Sequence, residues 1–143
     1  MRRIFVEKKE GFNSQKNSLL SDLKENLKIQ NLDSIRLLNR YDFEDLSEEI
    51  YQSTIHSILS EPPVDQVFEN TLPISGDEVC FAIEYLPGQF DQRADSAAQC
   101  IQILTQNKAP ALVSARVVVL NGQLTSDQIS KIKTYCINPV DSR

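Results

Sequence analysis

Residues 79–104 read VCFAIEYLPGQFDQRADSAAQCIQIL, and this run decides the fold because it writes a strand, a turn and a helix in direct succession. VCFAIEYL (79–86) carries the β-branched and aromatic content of a strand. Pro87 and Gly88 make a turn, and Asp91 stands where a helix cap belongs. From about 92 to 106, Ala94, Ala97, Ala98, Ile101 and Leu104 recur at helical spacing, which predicts one buried face.

Downstream, LVSARVVVL (112–120) predicts a strand and residues 126 to 137 a helix, with Thr125 and Gln128 as its capping box. Upstream the same plan is already written once. RIFVEK (3–8) is a strand, and Leu19, Leu20, Leu23 and Leu27 form one face of a helix over about 14–28, with Asn13 or Ser14 as its cap. SIRLLNRYDF (34–43) is the next strand. A helix over about 48–59 follows, capped by Ser47, with Tyr51, Ile55, Ile58 and Leu59 as its stripe and Pro62 and Pro63 as its stop. Val64 to Phe68 return as a strand.

The parallel extends to detail. Leu46 with Tyr51, and Leu124 with Ile129, are placed as hydrophobic staples. Pro-Val-Asp recurs at 63–65 and 139–141, an offset of 76 that Phe5 and Phe81 share. The predicted fold class is therefore α+β, with duplicated ferredoxin-like βαβαβ units packed as a pseudo-dimer. Residues 1–69 are the first half, 70–77 (NTLPISGD) the connector, and 78–143 the second half, truncated at its C-terminus. Two helices cannot cover both faces of a sheet, so each helix-free face is expected to bury against the other half.

Composition narrows the function. A chain of 143 residues with 41% hydrophobic content fits one compact domain or two half-size units sharing a core. The net charge of −5 divides into −4 for residues 1–70 and −1 for 71–143, so neither nucleic acid nor anionic lipid is an expected partner. Arg2, Arg3, Lys8 and Lys9 interleave with Ile4, Phe5 and Val6 as a solvated strand edge would. Neither a membrane helix nor a secretory signal is legible, and the expected compartment is the cytoplasm. Cys80, Cys100 and Cys136 lack C-x-x-C spacing and sit in apolar patterns, which predicts buried, reduced thiols and no metal site.

Catalytic chemistry is not legible either. The single histidine, His56, flanks an apolar stripe as a surface residue does, and four glycines cannot write a phosphate-cradling loop. The polar set Gln89, Phe90, Asp91, Gln92, Arg93, Asp95 and Gln99 is a candidate docking surface, with Gln102 adding to its amides. Composition alone slightly favours an ordinary solvated helix face over docking. A small enzyme using Arg93 and Asp95 would lack a nucleophile, a metal set and a phosphate loop.

The runs FDQRADSAAQCIQILT (90–105), YCINPVDSR (135–143), RIFVEKKEGF (3–12) and SEPPVD (60–65) resemble the amino-terminal domain of the large, single-chain phosphoribosylformylglycinamidine synthases, over essentially the whole chain. The chain is also similar to the small PurS-type subunit of the split bacterial enzyme, at Leu86–Gln92 and at Asn138–Val140. That subunit is a dimer, so the resemblance implies a fused dimer of PurS-like units. In the family, a central synthetase region uses ATP and magnesium, and a glutaminase region with a Cys-His-Glu triad releases ammonia for purine biosynthesis. Neither region is here, so the resemblance transfers no catalytic residue and no cofactor to this fragment, which is expected to be inactive alone. What it implies is a ligase whose synthetase and glutaminase domains are this domain's partners, held so that ammonia passes without reaching solvent. Starting at Met1 and stopping at Arg143 in mid-motif, the chain is expected to be one domain of that larger enzyme. The alternative is a stand-alone regulatory module binding a small effector between paired ferredoxin-like units.

Overall fold

A computed structural model describes residues 2–44, 47–74, 78–106 and 110–137. The strands are β1 (Arg2–Lys8), β2 (Leu32–Phe43), β3 (Asp65–Glu69), β4 (Glu78–Glu84) and β5 (Leu112–Gly122). The helices are α1 (Ser14–Glu25), α2 (Glu48–Thr54), α3 (Gln92–Thr105) and α4 (Ser126–Cys136), and α2 continues as a π-helical turn over Ile55–Leu59. The strands form one antiparallel sheet in the order β3-β1-β2-β5-β4. The fold is thus mixed α+β, with the four helices on one face of a five-stranded sheet.

Strand alternation decides which residues meet the helices. Ile4, Val6, Tyr41 and Phe43 pack with Tyr51, Ile55, Leu59 and Ala97, while Ile35, Ile83, Val118 and Leu120 pack with Leu23, Ile29 and Ile132. Each cluster mixes the halves. Ala97 of α3 lies in the first with α2, and Ile132 of α4 lies in the second with Leu23 of α1. The Tyr135 hydroxyl of α4 also donates to Asp22 of α1 at 3.2 Å.

Three of the four expected helix starts are capped as anticipated, by Ser47, by Asp91, and by Thr125 with its Gln128 capping box. The first is not, because Asn13 occupies the cap position without a side-chain cap bond. Helix α1 also stops at Glu25, short of the expected 28, and Lys28 turns the chain with a φ of 56°. Leu46 of one expected staple, residues 75–77 of the connector and the Pro-Val-Asp copy at 139–141 lie outside the described residues. Among the described residues, no helix is long and apolar enough to cross a membrane.

Four expectations are corrected. The halves do not bury helix-free faces against each other. They join edge to edge, through a β2–β5 ladder running from Leu32↔Gly122 to Phe43↔Leu112. The helix-free face closes itself: Phe5, Leu38, Val117 and Val119 are buried under Phe68, Ala82 and Leu72 from the start of the connector. Around them runs a ladder of ion pairs. Arg36 holds Glu7 with two bonds of 2.9 and 2.7 Å and also donates to the Pro73 carbonyl at 2.9 Å. Arg3 holds Asp42 at 2.6 Å, and Arg40 reaches across the small Ala115 to Glu84 at 2.6 Å. The bonds to Asp42 and Glu7 raise the Arg3 and Arg36 guanidinium pKa values above their ordinary level.

Second, β1 is not a solvated edge, since β3 pairs along its other side. Third, Cys80 and Cys100 are exposed and only Cys136 is half-buried, because the first two fall on strand and helix positions that alternate away from the core. Fourth, Phe5 and Phe81 are not equivalent: Phe5 faces the helix-free side and Phe81 the helices. The ladder pairs Ile4↔Tyr41 and Phe81↔Val118 lie 77 residues apart, not 76, and Asn39 pairs with Arg116.

At one end of the ladder, Gly122 has a φ of +148°, and a Cβ there would run into the backbone of Asn31, Leu32 and Asp33. Asn31 meanwhile donates to the Gln123 carbonyl and exchanges bonds of 3.0 and 2.9 Å with Gln128. Gly122→Ala is therefore expected to cost about 1 to 3 kcal/mol, read from urea denaturation.

Burial raises the Tyr51 phenol and the Cys136 thiol above their ordinary values, and Tyr51 also donates to Glu69 at 2.6 Å. The unfolded chain loses these protons first. The stability these two groups contribute is therefore present below their unfolded pKa values, about 8.5 for a thiol and 10 for a phenol, and is lost as pH rises above them. Urea midpoints at several pH values should show that fall, and Tyr51→Phe should make it shallower above about pH 10.

Candidate functional site

The start of α3 gathers the seven polar candidates, and the structure separates their roles. Gly88 turns the chain with a φ of 86°, the Gln89 amide donates to the Leu86 carbonyl at 3.0 Å, and this turn projects Phe90 with 68% of its surface exposed. Asp91 is a clamp. Its carboxylate accepts from the Ala94 amide at 2.9 Å, from the Ser114 amide at 2.8 Å, and from the Ser114 hydroxyl. One side chain thereby caps α3 and ties it to β5. Asp95 and Gln99 hold each other at 2.9 Å on an exposed helical turn. Gln92 and Arg93 line a groove of about 450 Å³ with Tyr41, Tyr85, Ser96 and Cys100.

Arg93 also lines a second cleft, of about 370 Å³, which sequence reading missed. It opens through the helix layer where the halves meet. Asn39 and Arg116, cross-strand partners in β2 and β5, form part of its floor, and its walls include the start of α1, the end of the π-helical turn and the start of α3. Its described lining carries four cations (Lys8, Lys16, Arg93 and Arg116) against two carboxylates (Glu61 and Asp65), a local excess of positive charge in a chain of net charge −5. Lys8 is already held by Asp65 at 3.2 Å, and Lys16 by Glu10 at 3.5 Å. Arg93 and Arg116 have no ion pair or hydrogen bond among the described residues. A signal was present: Arg116 interrupts an otherwise apolar strand, but its face follows only from the β2–β5 register.

His56 is exposed, as expected for a flanking residue. Among the described residues, no group of histidine, cysteine, aspartate or glutamate is placed to hold a metal ion. Compared with known proteins, the chain matches no protein-family model and no curated protein.

The division of labour at α3 has a stability signature. Asp91→Ala removes a cap and leaves the Ser114 amide unpaired, so it should cost about 2 kcal/mol or more, whereas Gln92→Ala and Gln99→Ala should stay within about 0.5 kcal/mol. Thermal and urea melts of the three variants check this.

Proposed function

We propose that this chain is a non-catalytic docking domain of a glutamine-dependent phosphoribosylformylglycinamidine synthase, an ATP-using ligase of purine synthesis acting in the cytoplasm, and that it helps couple the synthetase and glutaminase parts. The observation that carries the reading is Phe90, a large apolar side chain 68% exposed at the tip of a turn held rigid by the Asp91 clamp. Exposed aromatics on fixed supports are typical anchors of protein interfaces. Gln89, Gln92 and Arg93 flank it as polar, exposed neighbours in the chain. A rigid bridging domain suits such an enzyme because ammonia reaching water is protonated and lost as a nucleophile.

We further read the two halves as duplicated ferredoxin-like units, residues 1–69 and 78–143, in a pseudo-dimer. The 77-residue strand offset supports this, since it maps β1–β2 onto β4–β5 and places Asn39 and Arg116 opposite each other on a local two-fold axis. Crossed helix packing, α1 with α4 and α2 with α3, follows the same axis. The cation-rich cleft at the junction favours a second reading, a regulatory module that takes a small effector between its halves.

Docking is tested in the complete synthase with two nitrogen donors. Phe90→Ser is expected to lower glutamine-driven synthesis about tenfold while synthesis from free ammonia stays near wild type, because only the first needs coupled domains. Equal losses with both donors would count against docking.

A further inference from the structure

We propose that the cleft between the halves binds the phosphate group of a small phosphomonoester, clamped between Arg93 of the second half's first helix and Arg116 at the sheet centre. The proposal deepens the effector reading of the same cleft and does not need Phe90, although Arg93 also flanks the docking surface. Three observations converge on it. Charge comes first: both guanidiniums lack a carboxylate among the described residues, although the chain holds 20 acidic residues against 15 basic ones. An arginine left without a carboxylate beside a cleft is a forked donor suited to a phosphate, which offers several oxygens at once.

The second observation is the start of α1, which also lines the cleft. This helix has no acidic residue in its first turn and no side-chain cap bond, so among the described residues no side chain caps its leading amides. Free amides and the helix dipole add partial positive charge. Thirdly, the Asn13 Oδ1 atom, at the edge of the same cleft, is buried without a hydrogen-bond partner among the described residues. A buried acceptor of this kind requires a donor. The phosphate of a fully ionised ester offers none, but a hydroxyl on its organic part does, as does the single P–OH of inorganic hydrogen phosphate, so the choice between the two rests on the size of the cleft and on the titration below. The volume of about 370 Å³ is at the small end of ligand sites, which run from about 300 to 1,000 Å³, and suits a compact ester rather than a polymer. Glu61 and the Lys8-paired Asp65, on the opposite wall, would repel a second phosphate and so favour a monoester.

Calorimetric titration of the chain with inorganic phosphate and with glycerol 3-phosphate, at ionic strength matched with chloride, tests the proposal. Saturable binding is expected for both, with the ester tighter. Arg116→Gln and Arg93→Gln should each weaken it about tenfold or more, as loss of a charge-assisted hydrogen bond does, and Lys131→Gln on exposed α4 should leave it within about twofold. Neither arginine has an ion pair or hydrogen bond among the described residues, so both variants are expected to melt with the wild type, and either one suffices for the comparison. Absence of saturable binding, or equal weakening by Lys131→Gln, overturns the site. Phosphate binding as tightly as the ester overturns its assignment to an ester and leaves free phosphate as the ligand.

Discussion

The antiparallel pairing of β2 with β5 is the constraint on which everything else in this molecule depends. These are the two longest strands, 12 and 11 residues, while the others have 5 to 7. Each is an inner strand with a neighbour on both sides, β1 beside residues 38–43 of β2 and β4 beside residues 115–121 of β5, so much of their backbone is paired along both edges. Without that ladder the described strands would fall into a three-stranded piece, β3-β1-β2, and a two-stranded one, β5-β4, neither with enough buried surface to be secure alone. With it, the helices have one continuous floor and each half completes the other's core.

The other side of the sheet is closed by an unusual mixture. Two cross-strand rows are apolar around Leu38 and Val117, and between and beside them arginines lie flat, their stems covering carbon while their heads reach Glu7, Asp42 and Glu84. Coulomb attraction alone would contribute little at a wetted surface. Here the partners are partly buried, Arg36–Glu7 and Arg3–Asp42 are bidentate, and Arg40–Glu84 joins β2 to β4 across β5. Specificity is the gain: a sheet slipped by one residue would bring every one of these charges to the helix side.

Much of this was legible in the sequence, and the failures have physical reasons. Element order and most caps could be read because caps and periodicity are local, as Ser47, Asp91 and Thr125 show. The cap role of Asp91 was visible, but its grip on Ser114 was not, since that contact needs β5 to lie beside the start of α3. Facing was the weak point. An offset of 76 in place of 77 is one residue, and one residue turns a strand side chain to the opposite face, which is how Phe5 and Phe81 were matched. The same sensitivity hid the cleft, because Arg116 meets Asn39 only in the observed register. The chain's own closure of the helix-free face was invisible for a related reason: it uses Leu72 and Pro73 from a segment that reads as a plain connector.

The long ladder also dictates when this protein can fold. Leu38 and Val117, opposite each other in its middle, are 79 residues apart along the chain. Closing so large a loop costs entropy before any contact repays it, so this pairing is expected to form more slowly than the helices or the β1–β2 pair. During synthesis, β2 leaves the ribosome long before its partner exists. Its free edge and the apolar faces of α1 and α2 then stand open until β5 emerges, a window in which a chaperone or a neighbouring nascent chain competes for the same edge.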